Sequence, residues 1–260
     1  VKMKIFDGFN ITPNYYNSII LIGNFDGVHL GHQKLFKRAR EYKKKFKCKI
    51  GVITFNPMPK MFFNKKLKHF KLMNLSQKID QFKKQRVDFL INQKFSKRFS
   101  KIKADSFIKN YLDKKIKAKV LFVSNNFRFG NKREGDTDLL KSYEKRSNYK
   151  LIIPPPLKKN NKIISSTRIR KLLSRGNLDK ANKYLTRKWE IEGKVQKGRK
   201  VGGKIGYATC NIDIGNYIIA KPGVYSVQVR LNSNKKKING IANLGYRPTF
   251  NQNKILLEVN

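Results

Sequence analysis

Ile19-Ile20-Leu21-Ile22-Gly23-Asn24-Phe25-Asp26-Gly27-Val28-His29-Leu30-Gly31-His32 decides how this chain folds. The apolar run 19–22 reads as a strand, the glycine-bearing stretch after it as a turn, and the amphipathic pattern from Gln33 onward as a helix. A turn of this kind brings backbone N–H groups and a helix N-terminus towards a phosphate, with Gly23, Asn24 and Phe25 on its approach. Two of the chain's three histidines fall here as His29-x-Gly31-His32, spaced so that both can face one anionic ligand. An imidazole N–H donates well to a phosphoryl oxygen, and Gly31 omits a side chain that would block the approach. The bland alternative is a tight turn with two surface histidines.

A second stretch, Ile164-Ser165-Ser166-Thr167-Arg168-Ile169-Arg170, follows Pro154-Pro155-Pro156 and opens another helical pattern at Ile169, Leu172 and Leu173. Hydroxyls at a helix start serve as N-caps. Two arginines on the first turn lie at the unfavourable end of the helix dipole unless an anion binds there. Taken in order, His-x-Gly-His and Ser-Ser-Thr-x-x-Arg resemble the paired signatures of the nucleotidyltransferase superfamily, whose members transfer AMP from ATP to a phosphorylated acceptor.

In 260 residues there is room for one large domain or two modest ones, and 39% hydrophobic with 12% aromatic residues supports a packed core rather than disorder. Sixty Lys and Arg against sixteen Asp and Glu give a net charge of +44, which makes a basic nucleic-acid-binding protein the alternative from a different class. The lysines are scattered (43–45, 65–68, 83–84, 114–119, 158–162, 235–237) and form no single stripe interleaved with aromatics. Abundant Asn, Ile, Phe and Tyr point to A/T-rich codons, so most of the charge reads as codon bias on solvated faces, whose field favours polyanions such as ATP. No specific nucleic acid and no membrane partner is expected. Isolated Cys48 and Cys210 support neither a disulfide framework nor a zinc site and fit a reducing cytoplasm. No apolar run reaches a membrane-spanning length and no signal-peptide pattern opens the chain, so a cytoplasmic protein is expected.

Strand-length apolar runs at 19–23, 50–55, 87–91, 120–123 and 151–153 alternate with helical patterns at 33–46, 76–86, 104–117 and 136–146. The alternation predicts an α/β, Rossmann-like domain with a parallel sheet and ligands at the carboxyl ends of its strands. Beyond a helical stretch at 177–185, glycines (193, 198, 202, 203, 206, 215, 223) and apolar/polar alternation such as Val224-Tyr225-Ser226-Val227-Gln228-Val229 predict a small antiparallel β-barrel. The expected domains are 1–186 and 187–260.

Over its whole length the chain resembles the bacterial bifunctional riboflavin kinase/FMN adenylyltransferases, or FAD synthetases. The blocks that carry the resemblance are 22–32, Thr54-Phe55-Asn56-Pro57-Met58-Pro59, Asn126-Phe127-Arg128-Phe129-Gly130 with Gly135-Asp136, and 165–170. In the β unit they are 206–211, Pro222-Gly223-Val224-Tyr225, Arg247-Pro248-Thr249-Phe250 and Leu257-Glu258-Val259. Nicotinate-mononucleotide adenylyltransferases, the rival family, share the two phosphate motifs but lack the Phe-Arg-Phe-Gly block and the β module.

The resemblance implies that FMN phosphate attacks the α-phosphorus of ATP while His29 and His32 hold the phosphates. Ser165, Ser166, Thr167, Arg168 and Arg170 grip the pyrophosphate end, with Mg2+ neutralising charge. Asn56, Asn126, Phe127 and Arg128 are implied flavin or nucleotide contacts. In the kinase module Thr209 and Asn211 are implied Mg2+ ligands, and Glu258 the base acting on the ribityl hydroxyl of riboflavin. Departures from the family pattern are Asn56, Met58, Gly203 and Ala208. A further expectation is a truncated kinase barrel: Glu258 would lie on an unpaired edge strand, and phosphorylation of riboflavin would be weak or absent, leaving FMN adenylyl transfer alone.

Overall fold

The computed structural model of the chain describes residues 3–196, 209–231, 236–249 and 252–260. Gly198, Gly202, Gly203, Gly206, Tyr207, Ala208 and Phe250, singled out above, lie outside these residues. The chain divides into two compact units, 1–68 with 75–165, and 69–74 with 166–260.

The first unit holds strands β1 (Lys4–Phe6), β2 (Ile19–Ile22), β3 (Ile50–Asn56), β4 (Phe89–Lys94), β5 (Val120–Phe122) and β6 (Lys150–Ile152). All pair in parallel, in the order β1-β4-β3-β2-β5-β6. Helix α1 (Leu30–Phe46) crosses over from β2 to β3, and α2 (Pro59–Phe63) and α3 (Leu75–Lys84) lie between β3 and β4. After β4 come α4 (Lys97–Ser100) and α5 (Ala104–Phe107), the latter running into a π-helical segment at Ile108–Lys115, and α6 (Thr137–Tyr143) precedes β6. Five of these strands are those the apolar runs predict. The sixth, β1, is too short to show a period and is held by its neighbour, with Phe6 opposite Ile91 and its ring 6.2 Å from Phe89.

One core lies where Ile20, Ile22, Ile53, Phe89, Ile91 and Leu121 meet Phe107, Ile108 and Leu112. Elsewhere in the unit, fully buried Phe36 of α1 and Phe82 of α3 close against Phe25 of the turn after β2, with ring centroids 5.3 and 5.9 Å from it. The lysine run at 158–162 forms a hairpin of β7 (Lys158–Lys159) and β8 (Lys162–Ile163). Its two-residue loop, Asn160-Asn161, takes positive φ at both positions, which asparagine tolerates better than most residues.

The second unit contains α7 (Ser166–Ser174), α8 (Leu178–Leu185) and strands β9 (Val195–Gln196), β10 (Cys210–Ile212), β11 (Gly223–Val229), β12 (Ile238–Thr249) and β13 (Gln252–Val259). The strands form an antiparallel sheet in the order β11-β12-β13-β10-β9. Alternation in β11 has the expected consequence: Tyr225, Val227 and Val229 pack on a core of Ile214, Ala220, Ala242, Leu244, Leu257 and Val259, while Val224 faces outward. The expectation of an unpaired edge at Glu258 is corrected here. β13 is paired on both sides, Glu258 lying opposite Asn243 of β12 and Asn211 of β10. Sequence order hid this, because β10 returns from earlier in the chain to cover the outer side of β13.

Gly51 in β3 shows how tightly the parallel sheet is filled: a Cβ there would meet three atoms of the Phe89 ring at 2.2, 2.5 and 2.7 Å. Gly51→Ala is expected to destabilise the protein by about 1–3 kcal/mol through overpacking. Gly245→Ala on β12, where a Cβ meets nothing within 4 Å, is expected to stay within about 0.5 kcal/mol. Urea unfolding of both variants measures the difference.

Candidate active site

The central strand β2 is at most 3% exposed along its length and lies between β3 and β5. Strand order reverses there, β3 and β4 lying to one side and β5 and β6 to the other, and such a crevice is where open α/β sheets bind ligands. Between β2 and α1 the chain takes positive φ at Phe25 (46°), Gly27 (88°) and Val28 (37°). A β-branched residue in the left-handed region is strained, at a cost of about 1–3 kcal/mol, and tight packing maintains it: Val28 is fully buried and Phe25 nearly so. Gly23 donates to the Ile53 carbonyl at 3.1 Å, and the Gln33 side chain donates to the Val28 carbonyl at 2.9 Å.

This turn delivers His29 as the residue before α1 and His32 within its first turn. Their rings stack with centroids 3.7 Å apart and planes 21° from parallel, and Phe25 meets His32 edge-on at 5.2 Å. Space at Gly31 is tight, since a Cβ would come within 3.2 Å of the His29 ring and 3.4 Å of the Ile164 carbonyl. Thus Ile164, which introduces the second phosphate motif, lies over the first, and Ser165 is the last residue of this unit. His29 is 5% exposed, and Nδ1 of His32 and Oδ1 of Asn24 are buried without a hydrogen-bond partner. Burial first, then repulsion from His29 and Lys78, holds the His32 imidazole well below the usual histidine range.

Lys78 is a residue that sequence reasoning missed. It is 7% exposed on α3, one turn before Phe82 on the same face, and Phe82 contacts the Phe25 that touches His32. Only its spacing from Phe82 distinguishes it in a chain with sixty basic residues.

The other implied contacts of the first unit also stand at carboxyl ends of strands. Asn56 closes β3 with an exposed side chain, its carbonyl accepting from the Phe95 N–H at 2.9 Å, and Met58 is buried. After β5, the Ser124 hydroxyl donates to the exposed Asn126 at 2.9 Å, and Phe127 stacks on Phe129 at 5.5 Å. Arg128 pairs with Asp136 at 2.8 Å. Asp136 also caps α6 by accepting from the N–H groups of Asp138 and Leu139; the bond to Leu139 contributes most to a lowered carboxyl pKa.

In the second unit Ser166 and Thr167 open α7. Arg168 lies over the Tyr184 ring at 5.2 Å, and Arg170 over the Phe70 ring at 3.6 Å. Of the residues implied for the kinase, Thr209 is exposed just before β10, while Asn211 and Glu258 are direct cross-strand partners on β10 and β13. Asn211 Oδ1 is buried without a hydrogen-bond partner, the state of an oxygen available to a hard cation. Among the described residues no group of three or more His, Cys, Asp or Glu is placed to hold a metal ion, and no helix is long and apolar enough to cross a membrane.

The FAD synthetase family matches residues 12–168 and the riboflavin kinase family residues 185–260. A bifunctional riboflavin kinase/FMN adenylyltransferase of Buchnera aphidicola subsp. Schizaphis graminum is 40% identical over 262 residues, covering 99% of this chain and 84% of the relative. Those of Haemophilus influenzae and Escherichia coli K12 are 36% and 33% identical, each over 93% of this chain and over 78% and 77% of their own lengths. A crystal structure described as a macrolide-efflux protein from Streptococcus pneumoniae superimposes with a TM-score of 0.85 at 30% identity, covering 100% of this chain and 84% of that one. The chain belongs to the bifunctional riboflavin kinase/FMN adenylyltransferase family.

The His32 environment has a consequence for stability. With its folded pKa below the unfolded value of about 6.5, the unfolded chain binds the proton more readily. This contribution to stability is complete above about pH 6.5 and is lost as pH falls from there towards the folded pKa. Denaturant unfolding at pH 7.5 and 5.5 is expected to show the loss, and His32→Asn to reduce it.

Proposed function

We propose that this member of the family makes FAD by transferring AMP from ATP to FMN, and that its β module phosphorylates riboflavin to FMN. The adenylyltransferase is assigned to residues 1–186 and the kinase to 187–260. The observation that carries the first assignment is the stacked His29/His32 pair at the start of α1, with His29 buried, beside the strand-order reversal.

Adenylyl transfer needs no protein nucleophile. A phosphate oxygen of FMN attacks the α-phosphorus of ATP, and the bond to the β-phosphate oxygen breaks as pyrophosphate leaves. The protein aligns the two substrates and stabilises charge growing on the phosphoryl oxygens. His29 and His32 donate hydrogen bonds to those oxygens, and the ligand's negative charge opposes the burial and the repulsion that disfavour a charged His32 without it. Ser165, Ser166, Thr167, Arg168 and Arg170 hold the pyrophosphate end, an assignment resting on the sequence signature. Asn56, Asn126 and Phe127 serve the flavin or nucleotide side, and Arg128 does so while held by Asp136.

For the kinase, Glu258 accepts the proton of the ribityl hydroxyl as that oxygen attacks the γ-phosphorus of ATP, and Thr209 and Asn211 supply oxygen ligands to Mg2+. Bound there, Mg2+ neutralises phosphate charge. The buried, unpartnered Asn211 oxygen opposite Glu258 supports this arrangement. Glu258 lies on a strand paired on both sides rather than on a free edge, and we assign both reactions to the chain. Free Cys48 and Cys210 suit a reducing cytoplasm.

Incubation with FMN, ATP and Mg2+ is expected to yield FAD and pyrophosphate, with His29→Ala lowering turnover about 10²–10³-fold. Adenylylation of nicotinate mononucleotide in place of FMN would refute the reading. Supplied with riboflavin, the protein is expected to form FMN. Glu258→Gln should suppress that step and spare FMN-to-FAD conversion, both followed by chromatography.

A further inference from the structure

Arg170 leaves the first turns of α7 on a long, flexible stem, and its orientation is set by a segment a hundred residues earlier. Its Nε donates to the Phe70 carbonyl at 2.7 Å, and its guanidinium carbon lies 3.6 Å from the centroid of the Phe70 ring. Both contacts come from one residue, and together they fix the plane of the guanidinium as well as its place. A planar ion that grips phosphate through paired N–H groups gains from being oriented in advance.

Phe70 is itself tethered. Its N–H and that of Lys71 both donate to the Asn216 carbonyl at 2.9 Å, and the Lys71 carbonyl accepts from the Ile218 N–H at 2.8 Å. The next carbonyl, that of Leu72, accepts from the indole N–H of Trp189 at 2.9 Å. The segment 69–74 therefore belongs to the same compact unit as α7, although the chain on either side of it lies in the other unit.

We infer that Phe70 is a positioning residue for Arg170, its ring and carbonyl holding the guanidinium ready for the anionic end of ATP. The inference rests on the reading of Arg170 as a phosphate-binding residue. Phe70 has no chemistry of its own to offer the reaction, and its effect passes through Arg170.

A double-mutant cycle read through FAD synthesis at saturating FMN tests this. Replacing the ring in Phe70→Leu is expected to raise the KM for ATP about two- to thirty-fold, the range of a cation–π contact, with kcat nearly unchanged. Phe70→Tyr should restore the wild-type KM. Combined with Arg170→Ala, Phe70→Leu should add less than about twofold to the KM of Arg170→Ala alone. The denaturation midpoint of each variant confirms folding, and Phe70→Met takes the place of an unstable Phe70→Leu. A wild-type KM in a folded Phe70→Leu or Phe70→Met variant, beside a raised KM in Arg170→Ala, would overturn the positioning role and leave the phosphate reading standing. Multiplying effects in the double variant would also overturn it. A wild-type KM in Arg170→Ala would remove the phosphate reading and the inference with it.

Discussion

A fully buried strand that must release its chain into a tight, left-handed turn is the constraint on which the first unit depends. β2 has parallel partners on both sides and side chains buried on both faces, so the chain leaves it only at the carboxyl end. Seven residues separate Ile22 from Leu30, and they must turn the chain back into α1. The turn is made with left-handed φ at Phe25, Gly27 and Val28. Strain at Val28 of about 1–3 kcal/mol is comparable to the 1.5–3 kcal/mol gained by burying a side chain such as Phe25. Packing against Phe36 and Phe82 is therefore what keeps the turn in the one conformation that stacks the two imidazoles.

The same packing sets the electrostatics. Burial first, and then an imidazole at 3.7 Å and a buried lysine on the neighbouring helix, make protonation of His32 unfavourable. A bound polyanion reverses the sign of that local balance, so an arrangement that is costly in the free protein becomes favourable in the complex. Stability and affinity for anionic ligands thus draw on the same few groups, which is the usual position of an active site in a fold. The overall charge of +44 adds a field that favours anions but selects none of them.

In the second unit the corresponding constraint is register. β12 and β13 pair along most of their lengths, and β10 then covers the free side of β13. A slip of one residue would turn Glu258 to the opposite face and bring a neighbour of Asn211 against it. Leu257 lies opposite Leu244 of β12 and Ile212 of β10, and all three pack in the core of the unit, so apolar side chains hold the register in which two polar ones meet.

Periodicity and motif spacing sufficed for the strands of the parallel sheet other than β1, for the turn carrying His29 and His32, and for the change to an antiparallel unit. Each of these follows from local rules: hydrophobic runs, glycine placement and helix starts act over a few residues. What the sequence left open depends on distant pairing. Lys78 looks like any other lysine until α3 packs against the turn; Phe70 has no visible tie to Arg170 a hundred residues on; and β13 reads as an edge until β10 returns to cover it. Local pattern decides which elements form, because it reports the backbone's own preferences and the face each element must bury. Tertiary structure alone decides which side chains meet, because those meetings are set by strand order and helix packing that no short stretch encodes.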